Sequence, residues 1–344
     1  AQAIFRSSQA SVGSISSSLR GELCDQMAYL MLPMFLVPLI ATSAEVPSVV
    51  LNNGVRMPVL SLGTAEYNGS QLEEAILSAT KLGMQGVDTA FNYYNQVSVG
   101  NAVRQLNRSK VFLVTKTSPC FHPQAPPRYN ISSVDLCKAQ TRRDVESDLA
   151  QLGVDSVDLL LLHGANHFGG GVCGTASCAL NSAQWEVYEE VLREGKARAI
   201  GVSNYCQSCL SCLLAGARVV PAVNQVKYHP GMTADPEGLL SYCARRGIVP
   251  MSYSPLSGVI GDAVMESVAK AHNRTSAQVA LKWVVEKGYT VATASANPAH
   301  IAADIDIFSW NLSSGEIAEI DAYSKGSDTP SWACTAAAGS RFVI

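Results

Sequence analysis

No cluster of lysine and arginine appears anywhere in this sequence, and charged residues of both signs make up only 15% of it. With a net charge of −3, the chain offers no electrostatic footprint for nucleic acid. It lacks an uninterrupted apolar run of the roughly 20 residues that a membrane-spanning helix needs. No G-x-G-x-x-G turn follows an early strand, which argues against an open doubly wound sheet. No Cys/His set has four-ligand zinc spacing. What is present is 47% hydrophobic residues in a chain of 344, enough for a sizeable core.

The first 45 residues stand apart from that core. Residues 1–20 hold seven serines, two arginines and no acid, the composition of a transit peptide. Residues 27–40, MAYLMLPMFLVPLI, form an apolar run closed by small residues at 41–44. Its length suits the h-region of a signal peptide, and Pro33 and Pro38 oppose a regular spanning helix. The expectation is a targeting segment over 1–45, with the mature chain starting near Glu45 and carrying no stable membrane span. Of ten cysteines, nine follow this segment, and an odd count favours free thiols over a disulfide framework. Cys206, Cys209 and Cys212 share one face of an expected helix, read here as packing rather than metal binding. In an exported protein, Cys173 and Cys178 would be the plausible disulfide pair. Five N-x-S/T triplets, at Asn68, Asn107, Asn130, Asn273 and Asn311, are glycan acceptors only in a chain that enters the secretory route.

From about residue 50, apolar strand-like runs alternate with helix-period segments. The runs cover 58–65, 86–90, 111–117, 156–163, 197–204, 222–228, 248–255 and 289–295, with helical segments such as 72–82, 134–152, 184–194, 236–246 and 275–286 between them. Eight such units predict a single α/β domain over 46–326, a (β/α)8 TIM barrel, followed by a tail over 327–344. The Asn52-Asn53-Gly54 turn predicts a small hairpin that plugs the barrel bottom.

Barrels of this kind carry function at the C-terminal ends of their strands. Here those ends are polar in seven cases. They bring Asp88, Lys116, His163, Ser203 with Asn204, Asn224 with Gln225, Tyr253 with Ser254, and Ser295. The stretch GVDTAFNYYNQVSVG, residues 86–100, adds Tyr93 and Tyr94 just past Asp88. A strand-end aspartate can simply cap the next helix. Converging with a lysine and a phenol, it can instead orient the lysine, whose ammonium is expected to lower the phenol's pKa. His163 could then hold a carbonyl oxygen beside the phenol. This set can protonate a carbonyl oxygen but cannot deliver hydride, so a nicotinamide cofactor is implied.

The ordered motifs GVDTAFNYYNQVSVG, VTKT, DLLLLH, EGKARAIGVSNY, VNQVKYHP and YSPL resemble those of the aldo-keto reductases, over residues 50–323. The resemblance implies a catalytic tetrad of Asp88, Tyr93, Lys116 and His163. Tyr93 rather than Tyr94 takes the acid role, by its offset from Asp88 and the Asn95 and Gly100 that follow. It further implies that Ser203, Asn204 and Gln225 hold the nicotinamide carboxamide, that Tyr253 stacks on the ring, and that Ser254 and Leu256 contact the pyrophosphate. Ser295 and Asp304 fall at the adenosine end. A small-molecule carbonyl substrate, NADP(H) and a monomer are implied, and the family's usual cytoplasmic location conflicts with the targeting segment.

The departures lie at the adenosine end. Thr293-Ala294-Ser295 and His300 stand where such reductases commonly carry P-K-S and an arginine for the 2′-phosphate, so NAD(H) stays open. Ala303-Asp304 replaces the Glu-Asn pair that often holds adenine. The loops over 118–133 and 164–181 lie where substrate specificity is set. Two readings follow: a carbonyl reductase, or a cofactor-binding sensor subunit on the same barrel with little turnover.

Overall fold

A computed structural model describes residues 46–121, 129–166 and 173–323. The expected targeting segment and the 327–344 tail lie outside the described residues. In chain order the elements are β1 Ser48–Val50, β2 Arg56–Pro58, β3 Leu60–Gly63, α1 Gly69–Leu82, β4 Gly86–Asp88, α2 Gln96–Arg104, β5 Phe112–Thr117, α3 Val134–Leu152, β6 Val157–Leu162 and α4 Thr175–Arg193. They continue with β7 Ala197–Ser203, α5 Gln207–Leu214, β8 Val223–Lys227, α6 Leu239–Ala244, β9 Val249–Tyr253, α7 Ala263–His272, α8 Ser276–Glu286, β10 Thr290–Thr293, α9 Pro298–Ile305 and α10 Ser314–Ala322. Strands β3 to β10 close in sequence order into an eight-stranded barrel in which every neighbouring pair is parallel. The expected barrel is thus observed, each strand slightly shorter than its apolar run.

The helices form because their apolar residues recur at helical spacing. In α1 the buried residues are Leu72, Ala75, Ile76 and Ala79, one stripe facing the strands. Gly83 ends that helix at φ 105°, a left-handed position that glycine takes without a Cβ penalty. Thr275 and Gln278 start α8 with a reciprocal capping box. The sequence reading missed α7, α9 and α10, which lie beyond the clear β-then-α alternation.

Strand alternation sorts the barrel residues into two cores. Phe112, Val114, Leu159, Leu161, Ala199, Val223 and Met251 point inward and pack with Leu51 and Met57 of the hairpin. Leu60, Leu62, Val87, Leu113, Leu160, Ile200 and Val226 point outward to the helices. The β1–β2 hairpin sits at the N-terminal ends of the strands. Asn52 Nδ2 donates to the Pro221 carbonyl at 3.0 Å and Asn53 Nδ2 to the Arg198 carbonyl at 2.9 Å. Gly86 is forced by this packing, since a Cβ there would lie 2.1 Å from Ser61 Oγ.

The cysteine expectation is corrected. Cys120 bonds Cys137, Cys173 bonds Cys209, and Cys178 bonds Cys212, while Cys206 is also oxidised. Cys243 is buried and free. Cys173 and Cys178 do not pair with each other: although Cys178 Sγ lies 3.6 Å from the Cys173 carbonyl oxygen, both sulfurs are taken by cysteines of α5. The helical spacing of Cys209 and Cys212 on α5 then meets both. Among the described residues, no helix is long and apolar enough to cross a membrane.

Candidate active site

The inward parity of each strand continues upward into its last residue. In β5 the inward sequence is Phe112, Val114, Lys116; in β6 and just past it, Leu159, Leu161, His163; in β7, Ala199, Gly201, Ser203. Val223 leads to Gln225 and Met251 to Tyr253 in the same way. The two lower layers are apolar and the top layer is polar, so a period of two sets the site on one face.

Lys116 is fully buried, and three acceptors surround its ammonium. Nζ donates to Asp88 Oδ1 at 2.6 Å, to the Thr89 carbonyl at 2.9 Å and to Tyr93 Oη at 3.4 Å. Asp88 is equally enclosed, and its second oxygen accepts from Gln225 Nε2 at 2.7 Å. Asp88 therefore serves the lysine rather than capping a helix. Desolvation pushes the Lys116 ammonium down, but the Asp88 charge and the hydrogen bonds prevail and its pKa rises above the usual lysine value. The ammonium stays charged at neutral pH.

Tyr93 lies in the short turn after β4, with its ring edge-on to His163 at 5.6 Å between centroids. Its pKa is raised, against the sequence expectation. Burial is the largest cause, Lys116 lowers it and Asp88 raises it again. The lysine's pull is real but smaller than the cost of desolvating a phenolate. The phenol holds its proton at neutral pH. Tyr94, 70% exposed, points away from this cluster.

A second layer of bonds ties the tetrad to the remaining strand ends. Asn204 Nδ2 donates to the His163 carbonyl at 2.9 Å and to Ser203 Oγ at 3.1 Å, while its Oδ1 accepts from Tyr253 Oη at 2.9 Å. Ser203 Oγ donates to the Gln225 carbonyl at 2.8 Å. Asn204 and Ser254 have φ of 56° and 52°, left-handed values that are strained for residues with a Cβ and gather at functional sites. One connected network thus holds Asp88, Tyr93, Lys116, His163, Ser203, Asn204, Gln225 and Tyr253. Ser254 follows Tyr253 directly, and Leu256 packs half-buried against the outer core.

Ser295 and Asp304 lie outside that network. Ser295 Oγ accepts from the Asn297 amide at 3.2 Å. Asp304 is buried on α9 with no hydrogen bond among the described residues, and burial pushes its carboxyl up to about 7. Ala294 and His300 are exposed. The sequence reading missed two contributors. Thr89 acts through its backbone carbonyl, which no side-chain pattern reveals. Asn95, which entered the sequence reading only as a marker for assigning Tyr93, pins the turn by donating to the Thr64 and Tyr67 carbonyls at 2.8 and 2.9 Å.

The donor set suits part of a nicotinamide dinucleotide. Uncharged amides and hydroxyls at Ser203, Asn204 and Gln225 match a carboxamide, which both donates and accepts. Ala294 and His300 offer no lysine or arginine for a 2′-phosphate.

The model of the Aldo/keto reductase family matches residues 59–261 and 260–325. A Pseudomonas putida protein named morphine 6-dehydrogenase is 34% identical over 297 residues, covering 81% of this chain and 92% of that protein. An aldo-keto reductase of Mycobacterium avium (strain 104) is 32% identical over 297 residues, covering 83% and 93%. The crystal structure of an aldo/keto reductase from Brucella melitensis superposes with a TM-score of 0.70 at 28% identity, over 81% of this chain and 99% of that one.

Proposed function

This chain belongs to the aldo-keto reductase family of NAD(P)H-dependent oxidoreductases, and from that premise we propose that it reduces an aldehyde or ketone with Tyr93 as the general acid. The observation that carries the reading is the Lys116 ammonium held between Asp88 and a protonated Tyr93 phenol, beside the His163 ring. His163 orients the substrate carbonyl oxygen toward Tyr93 Oη. The phenol passes its proton to that oxygen as negative charge develops there, and Lys116 stabilises the resulting phenolate at 3.4 Å. Asp88 keeps the lysine charged and in place, since a buried ammonium without a partner would shed its proton. Bound NAD(P)H supplies the hydride.

Ser203, Asn204 and Gln225 are the residues that would hold the carboxamide, with the Tyr253 ring as stacking surface and Ser254 and Leu256 toward the pyrophosphate. Ser295 and Asp304 would meet the adenosine end. NADP(H) follows from the family resemblance, whereas the residues at 294 and 300 favour weak discrimination against NAD(H). The substrate is a small carbonyl compound. The intact tetrad and the enclosed ion pair favour turnover over a sensor role.

Fluorescence titration with NADPH and NADH, followed by turnover assays on a panel of aldehydes and ketones, tests the proposal. Saturable cofactor binding with substrate-dependent oxidation of the cofactor is expected. Binding without any turnover would favour the sensor reading, and failure to bind either cofactor would remove both.

A further inference from the structure

Seven of the eight cysteines in the described residues are oxidised, and the remaining thiol, Cys243, is buried. Three of the bonds are defined by both partners, and they join β5's following loop to α3 and the start of α4 to α5. Disulfides of this density persist in oxidising compartments and are rare in the cytosol. The protein therefore matures where the five N-x-S/T triplets become chemically meaningful.

The asparagines of those triplets differ from the others in the fold. Asn68, Asn107, Asn130, Asn273 and Asn311 are all exposed, and so are the hydroxyl residues two positions on, Ser70, Ser109, Ser132, Thr275 and Ser313. Among the described residues, none of the five donates its side-chain amide in a hydrogen bond. Of the ten other asparagines there, eight do, Asn92 and Asn297 being the exceptions. The engagements that exist use the oxygen alone. Asn107 Oδ1 accepts from Ser109 N at 3.1 Å, and Asn311 Oδ1 accepts from Lys282 Nζ at 3.1 Å. A glycan on Nδ2 leaves both bonds in place.

Each acceptor also sits outside the barrel strands and helix interiors. Asn68 precedes α1 without capping it, Asn107 precedes a single helical turn, and Asn273 follows α7 at φ 53°. Asn130 makes an isolated bridge with Phe121 at the surface. No middle residue of a triplet is proline.

We propose that this reductase is a secretory-route glycoprotein whose surface asparagines Asn68, Asn107, Asn130, Asn273 and Asn311 carry N-linked glycans alongside the disulfides. In each transfer Nδ2 forms a bond to C1 of the first sugar and loses one proton. The bond from C1 to a lipid-linked pyrophosphate breaks, and the pyrophosphate leaves with the electron pair. The co-reactant is a lipid-pyrophosphate oligosaccharide, and no oxidant is required for this step. The disulfides form separately, each by loss of two electrons and two protons to the thiol oxidants of that compartment.

The test is peptide mapping of the protein purified from its native source, under non-reducing conditions, before and after enzymatic release of N-glycans. Expected are the linked peptides Cys120–Cys137, Cys173–Cys209 and Cys178–Cys212, and conversion of the acceptor asparagines to aspartate on release. Asn68→Gln and Ser132→Ala should each remove one glycan step on a gel. Recovery of all five triplet peptides unmodified would overturn the proposal. So would alkylation of these cysteines as free thiols in the native protein.

Discussion

Replacing Asp148 by asparagine isolates the cost of ionising a carboxyl that folding encloses on α3. Gln96 Nε2 donates to Asp148 Oδ1 at 2.7 Å. Thr115 Oγ lies 2.6 Å from Gln96 Oε1 and 3.2 Å from Asp148 Oδ2. With the carboxylate ionised, one hydroxyl proton faces two acceptors and one contact goes unpaired. With the acid protonated, Asp148 donates to Thr115, Thr115 to Gln96, and Gln96 back to Asp148, so the ring closes. Its pKa is pushed up to about 8, first by burial and then by Asp144 one turn away, against the hydrogen bonds and the more distant Lys116.

The sign follows from linkage. The folded pKa lies above the ordinary value of 3.8, so the stabilisation is complete below that value and is lost as pH rises toward 8. At about 1.4 kcal/mol per unit, the loss is on the order of 5 kcal/mol by pH 8. Asparagine at 148 closes the same ring through its amide at every pH. Urea unfolding followed by tryptophan fluorescence, with disulfides intact, should find the Asp148→Asn variant matching the parent near pH 4. At pH 8 it should exceed the parent by roughly 3–5 kcal/mol. A difference that does not change with pH, or a variant weaker than the parent at pH 8, would refute the closed ring.

Tyr93→Phe should lower carbonyl reduction by roughly 10²–10⁴-fold while cofactor affinity, read by fluorescence, holds; Tyr94→Phe should leave both unchanged. If Tyr94→Phe were the one to lose turnover, the acid assignment would be wrong. Discrimination for NADPH over NADH should be weak, and His300→Arg should tighten NADPH by roughly tenfold or more, leaving NADH untouched, since a charge-assisted bond contributes about 1.5–3 kcal/mol. Dissociation constants for both cofactors decide it, and a parent preference above about a hundredfold would mean that another cation serves the phosphate. Gly86→Ala should cost about 1–3 kcal/mol by overpacking against Ser61, measured as a drop in denaturation midpoint; an unchanged midpoint would mean that β3 yields easily.

The barrel was legible in the chain because strand and helix periods are local. Apolar runs such as 156–163 announce a buried parallel strand wherever they occur, and the apolar stripe of α1 needs no partner to be seen. The grouping of Asp88, Lys116 and His163 was legible too, because inward parity and strand-end position bring them to one end of the barrel once the barrel is granted. Tertiary structure decided what depends on distance and solvent. The Cys173–Cys209 and Cys178–Cys212 bonds come from packing α4 against α5, which spacing along the chain cannot encode. The raised pKa of Tyr93 reflects burial outweighing the lysine, a balance that no list of neighbours predicts. The Asp148 ring joins α2, β5 and α3, and only their packing turns an ordinary helical acid into a buried proton donor.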